Sequence, residues 1–352
     1  MWAGFAGYLG ALAFAPRLGK RVVWSAIVVL VTAFAVAPVL LSHDVYSYVD
    51  YARMGVRHGL DPYVHPPLAA LADPAYADVT WTEATSAYGP LFTLATYPLA
   101  WLPVGVAVAV LKAAAALSVL GIAALVSRLA AWRGVDPLRA AAFVALNPLV
   151  LVHVVGGAHN DGVTMLLAML AVAALLSARE LSAGAALAAA VATKLSAAFL
   201  APFALIGTGR RDRFLTGAVI ASIAIAAAAW LAFGWDWLHG FGLAGENQNR
   251  TSYMSIPILA ARLTGLDPDA TRLVAAILFL AAIAYLLAWT WRNGDWVRAS
   301  AWAALALLLA TAWLLPWYLI WLLPLAAISR DRPLQLLTLV LTAYQLGARI
   351  PL

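Results

Sequence analysis

The residues best suited to chemistry fall in four short stretches. Leu41–Pro67 reads LSHDVYSYVDYARMGVRHGLDPYVHPP, and its His43 and Asp44 stand where an apolar run ends. A carboxylate at that point is partly desolvated yet within reach of water, so it can act as a general base toward a hydroxyl. The same position suits a helix cap, with Asp44 satisfying the free amides of the helix that follows. The second stretch, Asn147–Asp161 (NPLVLVHVVGGAHND), should kink at Asn147-Pro148 and end at Gly156-Gly157. It then delivers His159, Asn160 and Asp161 to the same face as Asp44. Three polar side chains at a broken helix end imply a bound ligand, or else a polar loop with a cap at Asp161.

Third is Lys194, in the middle of AALAAAVATKLSAAFLAPFAL with no acid in its own segment. An ammonium at membrane depth snorkels, faces a cavity or meets an anion, and a lipid phosphate is a natural partner. Lys112, inside the run 104–128, is expected to snorkel. Fourth, Arg250 stands among Asn247, Gln248, Asn249 and Ser252. Amides around a guanidinium suit a phosphate or the polar face of a sugar, and equally a solvated loop. Cysteine is absent, and no HExxH, GxSxG or GxxxxGK[ST] motif occurs. Thiolate chemistry is therefore excluded, ATP is an unsuitable substrate, and no cofactor is expected.

The elements that must hold these residues are membrane helices. Of 352 residues, 64% are hydrophobic and only 11% charged, and the mean hydropathy is +0.89. A soluble domain carries about 25% charged residues. The apolar runs are continuous and rich in Ala and Leu, without the period of two that a barrel strand requires. The expected fold is all-α, a polytopic integral membrane protein with about ten transmembrane helices. The candidate spans are 2–16, 22–41, 104–128, 140–156, 161–178, 214–234, 271–291, 297–315, 317–328 and 333–349. Two further pieces, 89–102 and 183–206, read as re-entrant or half-spans. The segment 1–16 lacks a basic flank before it and is read as a short first span, not a cleaved signal peptide. The whole chain, 1–352, forms a single transmembrane domain.

Basic residues such as Arg17, Arg133, Arg211, Arg298 and Arg330 cluster in one set of connections, and most acids in the opposite set. The positive-inside rule then orients the chain with loops 42–88 and 235–253 on the non-cytoplasmic side. The net charge of +6 is accounted for by this topology, so nucleic acid is not an expected partner. Ser47–Gly59 has helical spacing, with Tyr48 and Tyr51 near one face, as expected of a helix lying in the interface. Trp81, Trp101, Trp317 and Trp321 fall near span ends, most of them as interfacial anchors and a few on the outer side able to stack on a sugar ring.

The exit-of-helix Asp44 with VYSYVDYARMGVRHGLDPY after it, and YGPL at Tyr88–Leu91, resembles the first outer loop of the C superfamily of glycosyltransferases. NPLVLVHVVGGAHND is similar to the polyprenol-phosphomannose-dependent α-1,6-mannosyltransferases of actinobacteria. ATKLSAAFLAPF, NRTS and WYLIWLLPL follow in the family's order. The resemblance implies a cell-membrane enzyme with a cavity open to the outer face, and a sugar donor on polyprenyl phosphate. It also implies a glycan or glycolipid acceptor, and inversion at the anomeric carbon. Asp44 would be the base, Lys194 and Arg250 would hold the donor phosphate, and His43, Tyr48, Tyr88, His159, Asn160 and Asp161 would line the sugar or acceptor pocket. With His43 where some relatives place a second acid, no metal requirement is expected. Members of the family are commonly longer than this chain. The alternative reading is a transporter or flippase of lipid-linked sugars, which should show paired broken helices in symmetric halves.

Overall fold

The computed structural model describes residues 2–246 and 249–347, and no strand occurs among them. In chain order the helices begin with α1 (Trp2–Val36), α2 (Asp44–His58), α3 (Pro90–Thr96), α4 (Val104–Trp132) and α5 (Pro137–Ala145). They continue with α6 (Asp161–Leu176), α7 (Glu180–Thr193), α8 (Ala201–Gly207), α9 (Arg211–Phe233) and α10 (His239–Glu246). The last five are α11 (Ile256–Thr264), α12 (Pro268–Asn293), α13 (Trp296–Ala310), α14 (Leu323–Ile328) and α15 (Arg332–Gly347).

Four helices are long and apolar enough to cross a bilayer: α1, α4, α9 and α12. On α12 the leucines 273, 278 and 280 are all more than 60% exposed, and Thr290 is its buried residue. An apolar helix left this bare toward its surroundings is satisfied by hydrocarbon and not by water. Within α1, Gly19 takes φ 76° and ψ 162°, a conformation open to glycine and costly for a side-chain-bearing residue. Trp2 packs on Gly347, while the Leu40 amide donates to the Gly156 carbonyl at 3.2 Å. The run is thus broken into two helical arms at Gly19. Its two arms correspond to the expected runs 2–16 and 22–41.

Other expected runs are interrupted where the sequence carries breakers. The run 140–156 becomes α5, a break at Asn147-Pro148 and a π-helical turn at Val150–Val155. The run 183–206 becomes α7, an extended residue at Lys194 (φ −157°, ψ 125°), a 3₁₀ turn at Leu195–Leu200, and α8. Gly207 at the end of α8 sits on Trp296, next to Asp295, which pairs with Arg133 at the far end of α4. The segment therefore rises to Lys194 and returns to the end it came from. Helix length by itself supports four crossings and does not reach the expected ten.

The core lies where α4, α5 and α14 meet, and every residue of α14 is buried. Helices α7 and α9 approach closely through reciprocal glycines. A Cβ on Gly184 would lie 1.9 Å from the Phe214 carbonyl oxygen, and one on Gly217 1.9 Å from that of Leu181. Small residues at such a crossing are the usual device for packing helices in lipid. Lys112 does not snorkel as expected. It is 4% exposed and donates to the carbonyls of Ala37 and Pro38, closing the end of α1. The helix expected at Ser47–Gly59 is present as α2. Gly59 ends it at φ 65°, and Arg53 and His58 tie it to Asp73 at 2.7 and 2.8 Å.

Candidate active site

Asp44 occupies the first turn of α2, but that helix has no side-chain cap hydrogen bond, so the capping alternative is not realised. Its carboxylate turns inward instead. Oδ1 accepts a hydrogen bond from Trp81 Nε1 at 3.1 Å, and Oδ2 lies 3.5 Å from His159 Nδ1. Burial raises the Asp44 pKa above the ordinary carboxylate value, opposed by the Trp81 hydrogen bond and by the charge of Lys194. His159 is 1% exposed and stacks on Trp317, with ring centroids 3.7 Å apart at 16°. Burial, and then the charge of Lys194, lowers its pKa well below the usual imidazole value.

Behind this wall lies a second pair. The Lys194 ammonium donates to both Asp161 oxygens at 2.8 Å, and Trp321 Nε1 donates to Asp161 Oδ1 at 2.7 Å. Asp161 is 0% exposed, whereas 19% of the Lys194 side chain remains open. The ammonium also lies over the rings of Tyr318 (5.0 Å) and Trp321 (5.6 Å), which stack on each other at 4.2 Å. Lysine carries three N–H donors. With two committed to Asp161, one is left for the cavity. The extended backbone at Lys194, between α7 and the 3₁₀ turn, is what points this side chain across to α6.

Arg250 arrives from the loop after α10, with its guanidinium 5.0 Å from the centroid of the Trp81 ring. Trp81 therefore joins two expected site residues, through its N–H edge to Asp44 and its ring face to Arg250. Asn247 and Gln248, named above with Arg250, lie outside the described residues.

Most of these groups border one cavity of about 1530 Å³. His43, Asp44, Tyr48, Tyr88, His159, Lys194 and Arg250 line it, whereas Asn160 and Asp161 do not. Phe199, Leu243, Met254, Phe279 and Leu307 give the same cavity apolar lining. Trp81, Trp317, Tyr318 and Trp321 also line the cavity. By sequence Trp81, Trp317 and Trp321 read as membrane anchors, because a tryptophan's partner is invisible until the chain folds. Among the described residues no group of three or more His, Asp or Glu could hold a metal ion.

Residues 2–210 match the family described as alpha-(1->6)-mannopyranosyltransferase, N-terminal domain. Alpha-(1->6)-mannopyranosyltransferase A of Mycobacterium tuberculosis is 30% identical over 338 residues, covering 84% of this chain and 64% of that protein. Its namesake in Corynebacterium glutamicum is 28% identical over 256 residues, covering 63% of this chain and 50% of that protein. The chain thus spans between half and two thirds of the length of these relatives. No solved structure matches it.

Proposed function

The chain belongs to the alpha-(1->6)-mannopyranosyltransferase family, and from that premise we propose that it is a membrane mannosyltransferase. The donor is mannose on a polyprenyl phosphate, the acceptor an envelope glycan or glycolipid, and transfer takes place on the non-cytoplasmic face with inversion. The interrupted runs around α5 and α13 to α15 add further crossings to the four long helices. The observation that carries the proposal is a single one. The Asp44 carboxylate borders the same cavity as two cationic side chains, Lys194 and Arg250, and that cavity also has apolar lining.

In this reading the acceptor hydroxyl approaches Asp44 and gives up its proton as it attacks the anomeric carbon. Burial of Asp44 makes it a stronger base than an exposed aspartate, and His159 and Trp81 fix its orientation. The free N–H of Lys194 and the guanidinium of Arg250 bind the phosphate and stabilise the charge that grows on the departing oxygen. The leaving group is already an ionised phosphate, so no general acid is needed. The isoprenoid chain lies along Phe199, Phe279 and Leu307, and the ring faces at Trp317 and Tyr318 suit a sugar.

The test is transfer from polyprenyl-phosphate-mannose to a short mannoside in membranes carrying wild type or Asp44→Asn at equal protein level. Asparagine keeps the shape and can still accept from Trp81. Loss of transfer in the variant supports the base role. Equal activity removes Asp44 as the base, and no transfer by either protein turns attention to the flippase reading.

A further inference from the structure

A second cavity, of about 390 Å³, lies at the other end of the same helices. It is bordered by the last turns of α4 and α6 and the first turns of α7, through residues that include Arg128, Trp132, Leu170, Arg179 and Ser182. Asp161 opens α6 at the active site, so this groove sits a whole helix away, roughly 20 Å along the axis.

The arginines around it are not alike. Arg133 is paired with Asp295 at 2.9 Å and Arg298 with Asp331 at 2.7 Å. Among the described residues Arg128 and Arg179 have no such carboxylate, and both open onto the groove. The Arg128 guanidinium rests on the Trp132 ring at 4.8 Å, which orients it without neutralising it. Glu180, the acid nearest in sequence, is 8% exposed and turned toward Gly209, 3.5 Å from where its Cβ would lie. The same groove is lined by the apolar side chains of Leu125, Leu129 and Ala173. Leu170, which also lines it, is 41% exposed.

We propose that this groove is a binding site for an anionic phospholipid of the leaflet opposite the active site, its phosphate held between Arg128 and Arg179. One acyl chain lies over Leu125 and Leu170. Two guanidiniums without a carboxylate partner, lining an apolar groove, match a lipid, because a free phosphate would leave the apolar lining uncovered. Phosphate oxygens are the acceptors that a guanidinium's fork of donors fits best. The site concerns lipid binding alone and does not depend on the proposed transfer reaction.

The experiment is native mass spectrometry of the full chain, released from detergent with phosphatidylglycerol or phosphatidylcholine added. The wild type should retain one phosphatidylglycerol and no phosphatidylcholine under the same conditions. An Arg128→Ala/Arg179→Ala variant should lose affinity by about tenfold or more, since each basic side chain near a membrane surface contributes comparably. Leu170→Trp, which fills the groove and keeps both arginines, should lose the lipid as well. A control, Arg139→Ala/Arg213→Ala, removes two exposed cations outside the groove and should retain it. Thermal unfolding of each variant separates lost binding from lost folding. Equal retention by the double variant overturns the proposal, as does equal loss by the control or retention of phosphatidylcholine. Displacement of the lipid by millimolar inorganic phosphate also overturns it, in favour of a free-phosphate site.

Discussion

Replacing Asp161 with asparagine leaves the Lys194 ammonium without its carboxylate, and the size of the effect follows from who is enclosed. Breaking a buried ion pair by removing one partner costs about 3–5 kcal/mol. Lys194 is only partly enclosed, at 19% exposure of its side chain, and lies over two aromatic rings, each able to return about 0.5–2 kcal/mol. The expected loss for Asp161→Asn is therefore about 2 kcal/mol. Lys194→Met strands the other partner. Asp161 is 0% exposed and would keep just the Trp321 donor, so this variant should lose the full amount, about 4 kcal/mol. The double variant removes both charges and leaves an amide that still accepts from Trp321, at a cost of about 1–2 kcal/mol. The singles thus overshoot the double by about 4 kcal/mol, a coupling at or above the top of the range for contacting residues. Reversible unfolding in mixed micelles of constant composition measures all three. Additive effects, or a greater loss for Asp161→Asn than for Lys194→Met, would refute the pairing argument.

Three more outcomes follow from the same reasoning. Asp50 is 0% exposed, and burial together with the charge of Asp73 raises its pKa from 3.8 to about 7. The folded state therefore holds a proton that the unfolded chain has released, and stability falls as pH rises from about 4 to about 7, by at most about 4 kcal/mol. Asp50→Asn should raise the unfolding temperature at about pH 8 and leave it unchanged near about pH 4; an equal effect at both would contradict the shift. Trp81→Phe keeps a ring under Arg250 and removes the N–H donor to Asp44. The acid limb of the rate–pH profile should then move up, and an unmoved profile would show that this hydrogen bond does not tune the base. Gly217→Ala puts a Cβ 1.9 Å from the Leu181 carbonyl oxygen and should cost more than about 2 kcal/mol. Gly105→Ala, with nothing within 4 Å, serves as its silent control in the same unfolding assay.

The sequence by itself determined the solvent and the chemical vocabulary. Helices such as α4 and α12 were legible because a run of apolar residues long enough for a bilayer is a local property. So was the turn at Asn147-Pro148, because proline acts on its own backbone. The residues of the first outer loop and of GGAHND were legible as a set because motif order is written along the chain. Contacts between segments were not. The partner of Lys194 lies 33 residues away and that of Trp321 lies 160 away, both meeting at Asp161. No spacing rule reaches across such separations, so Lys194 looked uncompensated and Trp321 looked like an anchor. Tertiary structure alone decided that Asp161 stands behind the cavity wall holding the lysine. It also decided that Trp81 bridges Asp44 to Arg250, and that Lys112 closes α1 and does not reach for the surface. The physical reason is the same in each case. In an interior without water a polar group must find its partner among whatever the packing brings within about 3 Å, and packing is a property of the whole fold.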